Sequence, residues 1–308
     1  MRFVKMHGIG NDYVYVDAYS GAGDVALAER ADLPEIARRI SDRHRGVGSD
    51  GLILVCMPSG GTDAHVRMRM FNADGSESEM CGNGVRCVAK FAHDRLGMRF
   101  MPLRVETGRG VLSIAYEAAA SSGGKLTSAT VDMGEPILEL ARVPVDEGRL
   151  GAAASGAHAR EWAVEVDGAG SGRWVGSFVS MGNPHAVFFD GANDALRGEG
   201  LGRMEIERIG PRIETHPAFP RRVNAHFVCV HSEHEATMRT WERGAGATQA
   251  CGTGACAVLV AGVLTGRLAR RATLHLPGGD LVIEWDEKTS HVFMTGPAEE
   301  VFEGEWPR

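Results

Sequence analysis

Two short motifs with the pattern Cys-Gly-x-Gly are the parts of this sequence best suited to chemistry. The motif CGNG begins at Cys81, and the motif CGTG begins at Cys251. A cysteine thiol can act as an acid, a base or a nucleophile, depending on its protonation state. The stretches that follow, residues 84–96 and 254–265, predict buried helices, and GACAVLVAGVLT is apolar on every side.

A cysteine at the start of a helix lies among backbone N–H groups that have no partner within the helix. These groups favour an anion such as a carboxylate, and the helix dipole stabilises a thiolate. We therefore expect the pKa of both thiols to be lowered. Two thiols on opposite sides of one carbon can remove a proton from one face and deliver another to the opposite face. That exchange inverts a stereocentre.

An internal duplication relates the two motifs. Residues 69–91 align with residues 239–261 at a constant offset of 170 residues, which places Cys81 on Cys251. Either cysteine alone is equally well explained as a small apolar residue in a tight turn. Their equivalent placement in both repeats favours the chemical interpretation. The other four cysteines fit core packing: Cys56, Cys87, Cys229 and Cys256.

The duplication predicts two related domains that face each other about a pseudo-twofold axis, with a small-molecule cleft between them. We assign residues 1–128, completed by residues 297–308, to the first domain and residues 129–296 to the second. Near the start of each half, MHGIGNDYVYVD resembles MGNPHAVFFD, with Asn11 matched to Asn183.

Coarse secondary structure fits two copies of one mixed α/β unit. Alternating apolar residues predict strands at 13–17, 64–71, 109–117 and 281–287. Asp32 suits a helix N-cap with Glu35 in the reciprocal position, and Met204 to Ile213 occupies the matching place in the second half. The segments 118–128 and 151–173 are rich in Gly, Ala and Ser and predict hairpin loops or small insertions.

Composition excludes several classes of function. The net charge of −7 gives no reason to expect nucleic acid or an anionic membrane as a partner. Six cysteines in 308 residues, without zinc-like Cys/His spacing, predict neither a disulfide scaffold nor a metal site. The N-terminal residues lack the apolar core of a signal peptide, so we expect a cytoplasmic protein.

The sequence resembles the diaminopimelate epimerase family across nearly its whole length. The matching motifs, in the order of the family, are KMHGIGNDYVYVD (5–17), RHRGVGSDGLI (43–53), FNADGSESEMCGNGVRC (71–87), SMGNPHAV (180–187), RVNAHF (222–227) and WERGAGATQACGTGACA (241–257). The resemblance implies interconversion of LL- and meso-diaminopimelate without a cofactor. It also implies an α+β fold of two pseudo-symmetric domains, each a curled, mostly antiparallel sheet around a central helix, and a homodimer.

The resemblance also implies roles for individual residues. Cys81 and Cys251 are the acid/base pair, and His185 and Glu242 tune their ionisation. Carboxylate, ammonium and distal-carboxylate contacts are implied for Asn11, Asn72, Gly82, Asn83, Asn183, Asn224, Glu242, Arg243, Gly252 and Thr253. An arginine fork suits the distal carboxylate. Five of the six asparagines of the chain lie in these motifs.

Two departures and three alternatives accompany this interpretation. Some members carry Gln where this chain has Gly51, and some relatives carry an acidic residue at Ala247.

A proline racemase or hydroxyproline epimerase shares the paired cysteines, but it needs no distal-carboxylate reader such as Arg243. A pyridoxal-phosphate racemase needs a Schiff-base lysine beside a phosphate loop, and no lysine here has one. The third alternative is an amino-acid-binding module without catalysis.

Overall fold

A computed structural model of the chain describes residues 1–21, 23–151, 160–166 and 172–307. It has a mixed α/β fold. The strands are β1 (Arg2–Gly8), β2 (Asn11–Ala18), β3 (Gly51–Cys56), β4 (Val66–Asn72), β5 (Glu77–Ser78), β6 (Leu103–Thr107), β7 (Gly110–Ala118), β8 (Leu126–Asp132), β9 (Trp162–Glu165), β10 (Arg173–Ser180), β11 (Pro184–Phe189), β12 (Asn224–Ser232), β13 (Glu235–Glu242), β14 (Gly246–Thr248), β15 (Arg271–Leu276), β16 (Gly279–Trp285), β17 (Val292–Pro297) and β18 (Glu299–Glu305). The α-helices are α1 (Leu33–Ser41), α2 (Gly82–Asp94), α3 (Gly200–Arg203), α4 (Ile206–Glu214) and α5 (Gly252–Leu264). Short 3₁₀ turns join some of these elements.

The chain forms two compact units. One consists of Met1–Asp132 together with Thr295–Arg308, and the other is Met133–Met294. In the first unit β1 pairs antiparallel with both β2 and β18, and β2 pairs parallel with β3. From β3 the sheet continues antiparallel to β4, parallel to β6, and then antiparallel through β7 to β8.

The second unit repeats this order of pairings. β10 pairs antiparallel with β11, β11 parallel with β12, and β12 antiparallel with β13. β13 then pairs parallel with β15, which pairs antiparallel with β16. The short strands β5 and β14 each add an antiparallel partner at the same step, on β4 and β13. The duplication seen in the sequence is therefore also a duplication of sheet topology.

A buried helix lies at the centre of each unit. Every residue from Gly82 to His93 of α2 is buried, and this helix contacts β1, β8 and the strands between them in the sheet. In the second unit α5 is buried along most of its length and packs against β10, β11, β12, β15 and β16. A sheet that contacts one helix with most of its strands must curl around it. The predicted helices 84–96 and 254–265 and the curled sheets are thus confirmed.

A second helix covers the outer face of each sheet. Leu33, Ala37 and Ile40 of α1 belong to a core cluster with Val14 and Val16 of β2. In the second unit Ile206, Ile209 and Ile213 of α4 pack in a cluster with aromatic side chains of β10, β11 and β12. Both units therefore have three layers, with the sheet between an inner and an outer helix.

The start of α1 differs from the prediction in its hydrogen bonds. Asp32 is the N-cap residue, but its side chain makes no capping hydrogen bond. The Arg30 guanidinium donates hydrogen bonds to both carboxylate oxygens of Asp32, at 2.8 and 2.5 Å. The Arg38 guanidinium donates to the Glu35 carboxylate. The predicted reciprocal capping pair is therefore wrong, because neighbouring arginines compete for both carboxylates. Pro34 still favours the first turn.

Tight turns set the position of the first asparagine motif. β1 and β2 are joined by Ile9 and Gly10, which have φ of 49° and 82°. Positive φ at both central residues is typical of the turn that joins twisted antiparallel strands closely. The pair Gly8 and Asn11 closes this hairpin, so Asn11 follows the turn directly.

The predicted loops are partly described. Residues 118–128 contain the turn between β7 and β8, a hairpin as predicted. Within 151–173, β9 and β10 pair antiparallel as a hairpin, while residues 152–159 and 167–171 lie outside the described residues. Among the described residues, no helix is both long and apolar enough to cross a membrane.

The equivalent glycines Gly84 of α2 and Gly254 of α5 should differ in how well they tolerate substitution by alanine. A Cβ at Gly84 would meet Ile53 Cδ1 at 2.9 Å, whereas a Cβ at Gly254 would meet His226 Cε1 at 2.2 Å. The end of an isoleucine side chain can rotate away, but a buried imidazole held by hydrogen bonds cannot. We expect Gly254→Ala to lower the free energy of unfolding by about 1–3 kcal/mol.

Gly84→Ala is the matched control. Its loss should stay below about 1 kcal/mol, because alanine also favours a helix more than glycine does. Urea unfolding followed by circular dichroism measures both variants. Equal losses would contradict the packing described for Gly254.

Candidate active site

Cys81 is the N-cap residue of α2, and its sulfur accepts a hydrogen bond from one of the unpaired N–H groups in the first turn of the helix. Its backbone is extended, with φ −131° and ψ 121°, and its carbonyl accepts the first helical hydrogen bond from Val85 at 2.8 Å. The N–H of Gly84 donates to the Cys81 sulfur at 3.3 Å. The thiol in turn donates to Asn11 Oδ1 at 3.2 Å. The structure therefore brings two of the predicted residues, Asn11 and Cys81, into contact.

Asn11 is held in place by a chain of charged groups. Its amide nitrogen donates to Asp50 Oδ2 at 2.7 Å, and the Arg43 guanidinium binds Asp50 Oδ1 at 2.9 Å. The amide oxygen of Asn11 therefore points toward the sulfur, and the Asn83 side chain also donates to it at 3.4 Å. Asn83 is itself buried.

We call the residues around Cys81 the first half-site and those around Cys251 the second half-site. Tyr13 belongs to the first, and the sequence motifs did not single it out. Its ring is buried, and Asn11 and Cys81 are close enough to affect its ionisation. Burial, with the adjacent Cys81, raises the pKa of Tyr13 well above its usual value, so the phenol keeps its proton. The clue lay in the duplication, which matches Tyr13 in GNDY with His185 in GNPH.

The departure at Gly51 has a steric explanation. A Cβ at this position would lie 2.1 Å from the carbonyl oxygen of Phe71 and 3.0 Å from Tyr13 Cε1. Glutamine therefore fits here only if β3 and β4 separate, because the nearest atom belongs to the backbone of β4. In this chain the position is filled by neighbouring atoms and is not a gap. Ala247, the other departure, is exposed in β14.

Cys251 begins α5 in the same way as Cys81 begins α2. Its φ and ψ are −122° and 99°, and its carbonyl accepts from Ala255 N–H at 2.9 Å. Its sulfur lies 3.8 Å from the hydroxyl of Thr253. The side chain of Asn183 donates to the same hydroxyl at 3.4 Å. The predicted residues Asn183, Cys251 and Thr253 are thus neighbours.

The ionisation of Cys251 differs from the expectation. Burial raises its pKa well above the usual range, and the adjacent Glu242 carboxylate raises it further. The Gly254 N–H and the Thr253 side chain act in the opposite direction but do not prevail. The predicted lowering of this pKa is therefore wrong for the ligand-free protein, because loss of water outweighs the helix terminus.

Two buried imidazoles extend the second half-site. His185 Nε2 lies 3.0 Å from Asn183 Oδ1, and His185 Nδ1 lies 2.9 Å from Nε2 of His226. His226 Nδ1 continues to the Thr240 hydroxyl at 3.0 Å. Burial lowers the pKa of His185 well below its usual value and that of His226 to about 3, so both rings are neutral at pH 7. His226 is a second residue of the site that the sequence motifs did not single out.

The remaining predicted residues form two further groups. Asn224 Oδ1 accepts the backbone N–H of Arg243 at 2.9 Å, and its amide donates to the Pro184 carbonyl at 2.9 Å. The exposed Arg243 guanidinium donates to the Arg221 carbonyl at 3.0 Å. The side chain of Asn72 donates to Ser76 Oγ at 3.0 Å, in the turn after β4.

Each half-site can hold a carboxylate and exchange a proton. Gly82 and Gly252 follow the cysteines directly at the start of their helices, so backbone N–H groups accompany each thiol. A sulfur at such a position can accept or donate one proton. The neighbouring amide and imidazole groups can form hydrogen bonds with a ligand without adding charge.

Comparison with known proteins agrees with this chemistry. The family model described as diaminopimelate epimerase matches residues 3–139 and 177–301. The chain belongs to the diaminopimelate epimerase family. A diaminopimelate epimerase from Desulfitobacterium hafniense is 49% identical over 304 residues, covering 99% of this chain and 97% of the relative. One from Desulfovibrio desulfuricans is 50% identical over 310 residues, covering 99% and 98%. The chain is thus an isomerase of the epimerase class.

Solved structures with the fold of this epimerase are more distant in sequence. A probable proline racemase from Agrobacterium radiobacter has a TM-score of 0.66 at 14% identity, covering 99% of this chain and 92% of its own. A hydroxyproline epimerase from Agrobacterium vitis has a TM-score of 0.64 at 16% identity, covering 99% and 90%. These likenesses establish the fold and leave the proline-specific alternative without support from sequence.

The Glu242 carboxylate beside Cys251 should reduce the reactivity of the Cys251 thiol in this epimerase. The Glu242 carboxylate accepts the Thr248 hydroxyl at 2.5 Å and raises the pKa of Cys251. Glu242→Gln removes this charge, so the thiolate fraction at pH 7 increases. We expect alkylation of Cys251 by iodoacetamide to become severalfold faster, up to about tenfold per unit of pKa. Mass spectrometry of the Cys251 peptide measures the rate.

Glu235→Gln, at the other end of β13, is the matched control and should leave the rate unchanged. In the wild type, alkylation should accelerate with rising pH well above neutrality. An unchanged or slower rate in Glu242→Gln would contradict the assigned effect of Glu242.

Proposed function

We propose that this protein interconverts LL- and meso-2,6-diaminopimelate by a two-base mechanism in which Cys81 and Cys251 act on opposite faces of one α-carbon. The observation that carries the proposal is the repeated placement of a cysteine at the start of a buried helix, in a member of this family. Relatives of 45–50% identity named diaminopimelate epimerase support the substrate.

The reaction needs one thiolate and one thiol. The thiolate takes the α-proton, and the electron pair left on carbon is delocalised into the adjacent carboxylate. Backbone N–H groups beside Gly82, Asn83, Gly252 and Thr253 stabilise that developing charge. The second thiol then delivers its proton to the opposite face, which leaves the two sulfurs with exchanged protonation states.

The unequal environments of the thiols support an order of events. Burial and Glu242 keep Cys251 protonated in the ligand-free protein. The Cys81 sulfur lies beside the neutral side chain of Asn11 and accepts a backbone N–H from Gly84 at 3.3 Å. We infer that Cys81 is the base and Cys251 the acid for the stereoisomer that the free enzyme binds productively. The opposite stereoisomer uses the reverse assignment.

Recognition of the substrate's second amino-acid head group is assigned to polar residues around the cysteines. We propose that Arg243 binds the distal carboxylate and that Asn72, Asn183 and Asn224 read the polar head groups. Asn11 contacts the reacting centre through its link to Cys81. The proposal involves no cofactor. It places the enzyme in lysine and peptidoglycan precursor synthesis, and it includes a homodimer.

Isotope exchange tests the reaction directly. Purified, reduced protein incubated with LL-diaminopimelate in heavy water should incorporate one deuterium at an α-carbon as the meso isomer forms. Proton NMR and chiral chromatography measure both events. Turnover of proline or hydroxyproline, with no exchange into diaminopimelate, would sink this assignment.

Substitution of the cysteines tests the two-base mechanism. Cys81→Ala and Cys251→Ala should each lower kcat for epimerisation by about 10²–10⁴-fold, because each removes one of the two proton carriers. Cys256→Ala, in the buried interior of α5, is the control and should keep activity near that of the wild type. Retention of wild-type activity in either catalytic variant would mean that one thiol suffices.

A further inference from the structure

Three potential metal ligands converge in the second unit. The ligand atoms of His185, His226 and Cys251 all lie within 4.8 Å of one another, and all three residues are buried. In the part of the chain that the structure describes, this is the one such group of histidine, cysteine and acidic residues. The three residues lie far apart in sequence, which is why cysteine and histidine spacing did not reveal them.

The outward-facing nitrogens of both imidazoles already have partners. His185 Nε2 faces Asn183 Oδ1, an acceptor, so this nitrogen carries the ring proton and Nδ1 keeps a lone pair. His226 Nδ1 faces the Thr240 hydroxyl, which can either donate or accept. Histidines that bind metals almost always donate their second N–H to such an acceptor. The pair is therefore arranged with His185 Nδ1 and His226 Nε2 facing each other beside the thiol.

The duplicated half lacks this arrangement. Tyr13 occupies the place of His185, and Ile53 occupies the place of His226, as their strand registers show: Tyr15 pairs with Ile53, and Val187 pairs with His226. Each of these side chains also packs on the corresponding helix glycine, Ile53 on Gly84 and His226 on Gly254. Packing against the helix therefore does not require a histidine at position 226, because an isoleucine does this in the first half.

We propose that His185, His226 and Cys251 bind Zn²⁺ or a similarly soft divalent ion, and that this ion inhibits the enzyme reversibly. Two imidazole nitrogens and one thiolate are a preferred donor set for Zn²⁺, with a fourth position left for water or a substrate group. On binding, the Cys251 thiol releases its proton to solvent and forms the sulfur–metal bond. The ring proton of His226 moves from Nε2 to Nδ1, and the Nδ1–H then donates a hydrogen bond to the Thr240 hydroxyl.

The geometry requires only small movements. A tetrahedral Zn²⁺ with ligand distances of about 2.0–2.3 Å holds its ligand atoms about 3.3–3.8 Å from one another. The two facing imidazole nitrogens, now 2.9 Å apart, must separate slightly, and the sulfur must approach. Rotation of the Cys251 side chain moves the sulfur, and a slight tilt of each imidazole, with its hydrogen bond to Asn183 or Thr240 kept, separates the two nitrogens. The ion then occupies the sulfur that the proposed reaction needs free.

Binding is tested with Co²⁺ as a spectroscopic substitute for Zn²⁺. The reduced full-length protein should give a thiolate-to-cobalt charge-transfer band with Co²⁺, and an equimolar amount of Zn²⁺ should abolish it. His226→Ile, which copies the residue of the first half, should weaken Co²⁺ affinity at least tenfold. Cys251→Ser should remove the band, whereas Cys81→Ser should retain it. Circular dichroism confirms that each variant is folded.

Exposed histidines provide the control. His231→Ala should leave the Co²⁺ titration unchanged, because this side chain bonds Thr237 on the surface. Zn²⁺ should also inhibit deuterium exchange in the wild type, with full recovery after a chelator is added. An unaltered titration in His226→Ile, or loss of the band in Cys81→Ser with its retention in Cys251→Ser, would overturn the proposal.

Only the inhibition rests on the proposed function. If the protein does not turn over diaminopimelate but still forms the cobalt–thiolate complex through His226, the metal site stands and the substrate assignment fails. If it turns over diaminopimelate and gives no charge-transfer band, the substrate assignment stands and the metal site fails.

Discussion

The first turn of a buried helix imposes the main constraint on each half of this protein. Backbone N–H groups there have no partner within the helix, and burial makes an unsatisfied group costly. In the first unit the Cys81 sulfur accepts one of them, from Gly84. The sheet curls so closely around the helix that the Ile53 side chain packs against this glycine. The same requirement for a closely packed helix start therefore positions the thiol and excludes larger side chains.

Duplication has preserved the topology of the two units while their chemistry has diverged. Both sheets follow the same order of parallel and antiparallel pairings, and both cysteines have extended backbones before a glycine. Beside Cys81, however, lies a phenol, and near Cys251 lie two neutral imidazoles and a carboxylate. The proposed reaction begins with one thiolate and one thiol, and unequal surroundings favour that starting state. The divergence of the neighbours provides this inequality, while the order of strand pairings and the extended backbone of each cysteine are kept.

Much of the fold could be predicted from the sequence because its signals are local or repeated. The apolar run of α5 and the alternating buried residues of β4 reflect packing that a short stretch of sequence records, and the constant offset between the two motifs reveals the duplication. The failures concern competition between neighbours. Arg30 takes the carboxylate of Asp32 that was expected to cap α1, and burial overrides the helix terminus at Cys251. Tyr13 and His226 could not be found from short motifs because their importance depends on contacts made across strands.

The pairing of β1 with β18 bears on the order in which the molecule assembles during synthesis. β1 lies between β2 and β18, and residues from Arg2 to His7 pair with residues from Glu299 to Glu305. A ribosome releases the first of these segments long before the second. The second unit is continuous in sequence, so it can fold while the first still lacks its final strand. The nascent chain must therefore keep this edge of β1 from pairing elsewhere until β18 has been synthesised, since an open strand edge invites association with other chains.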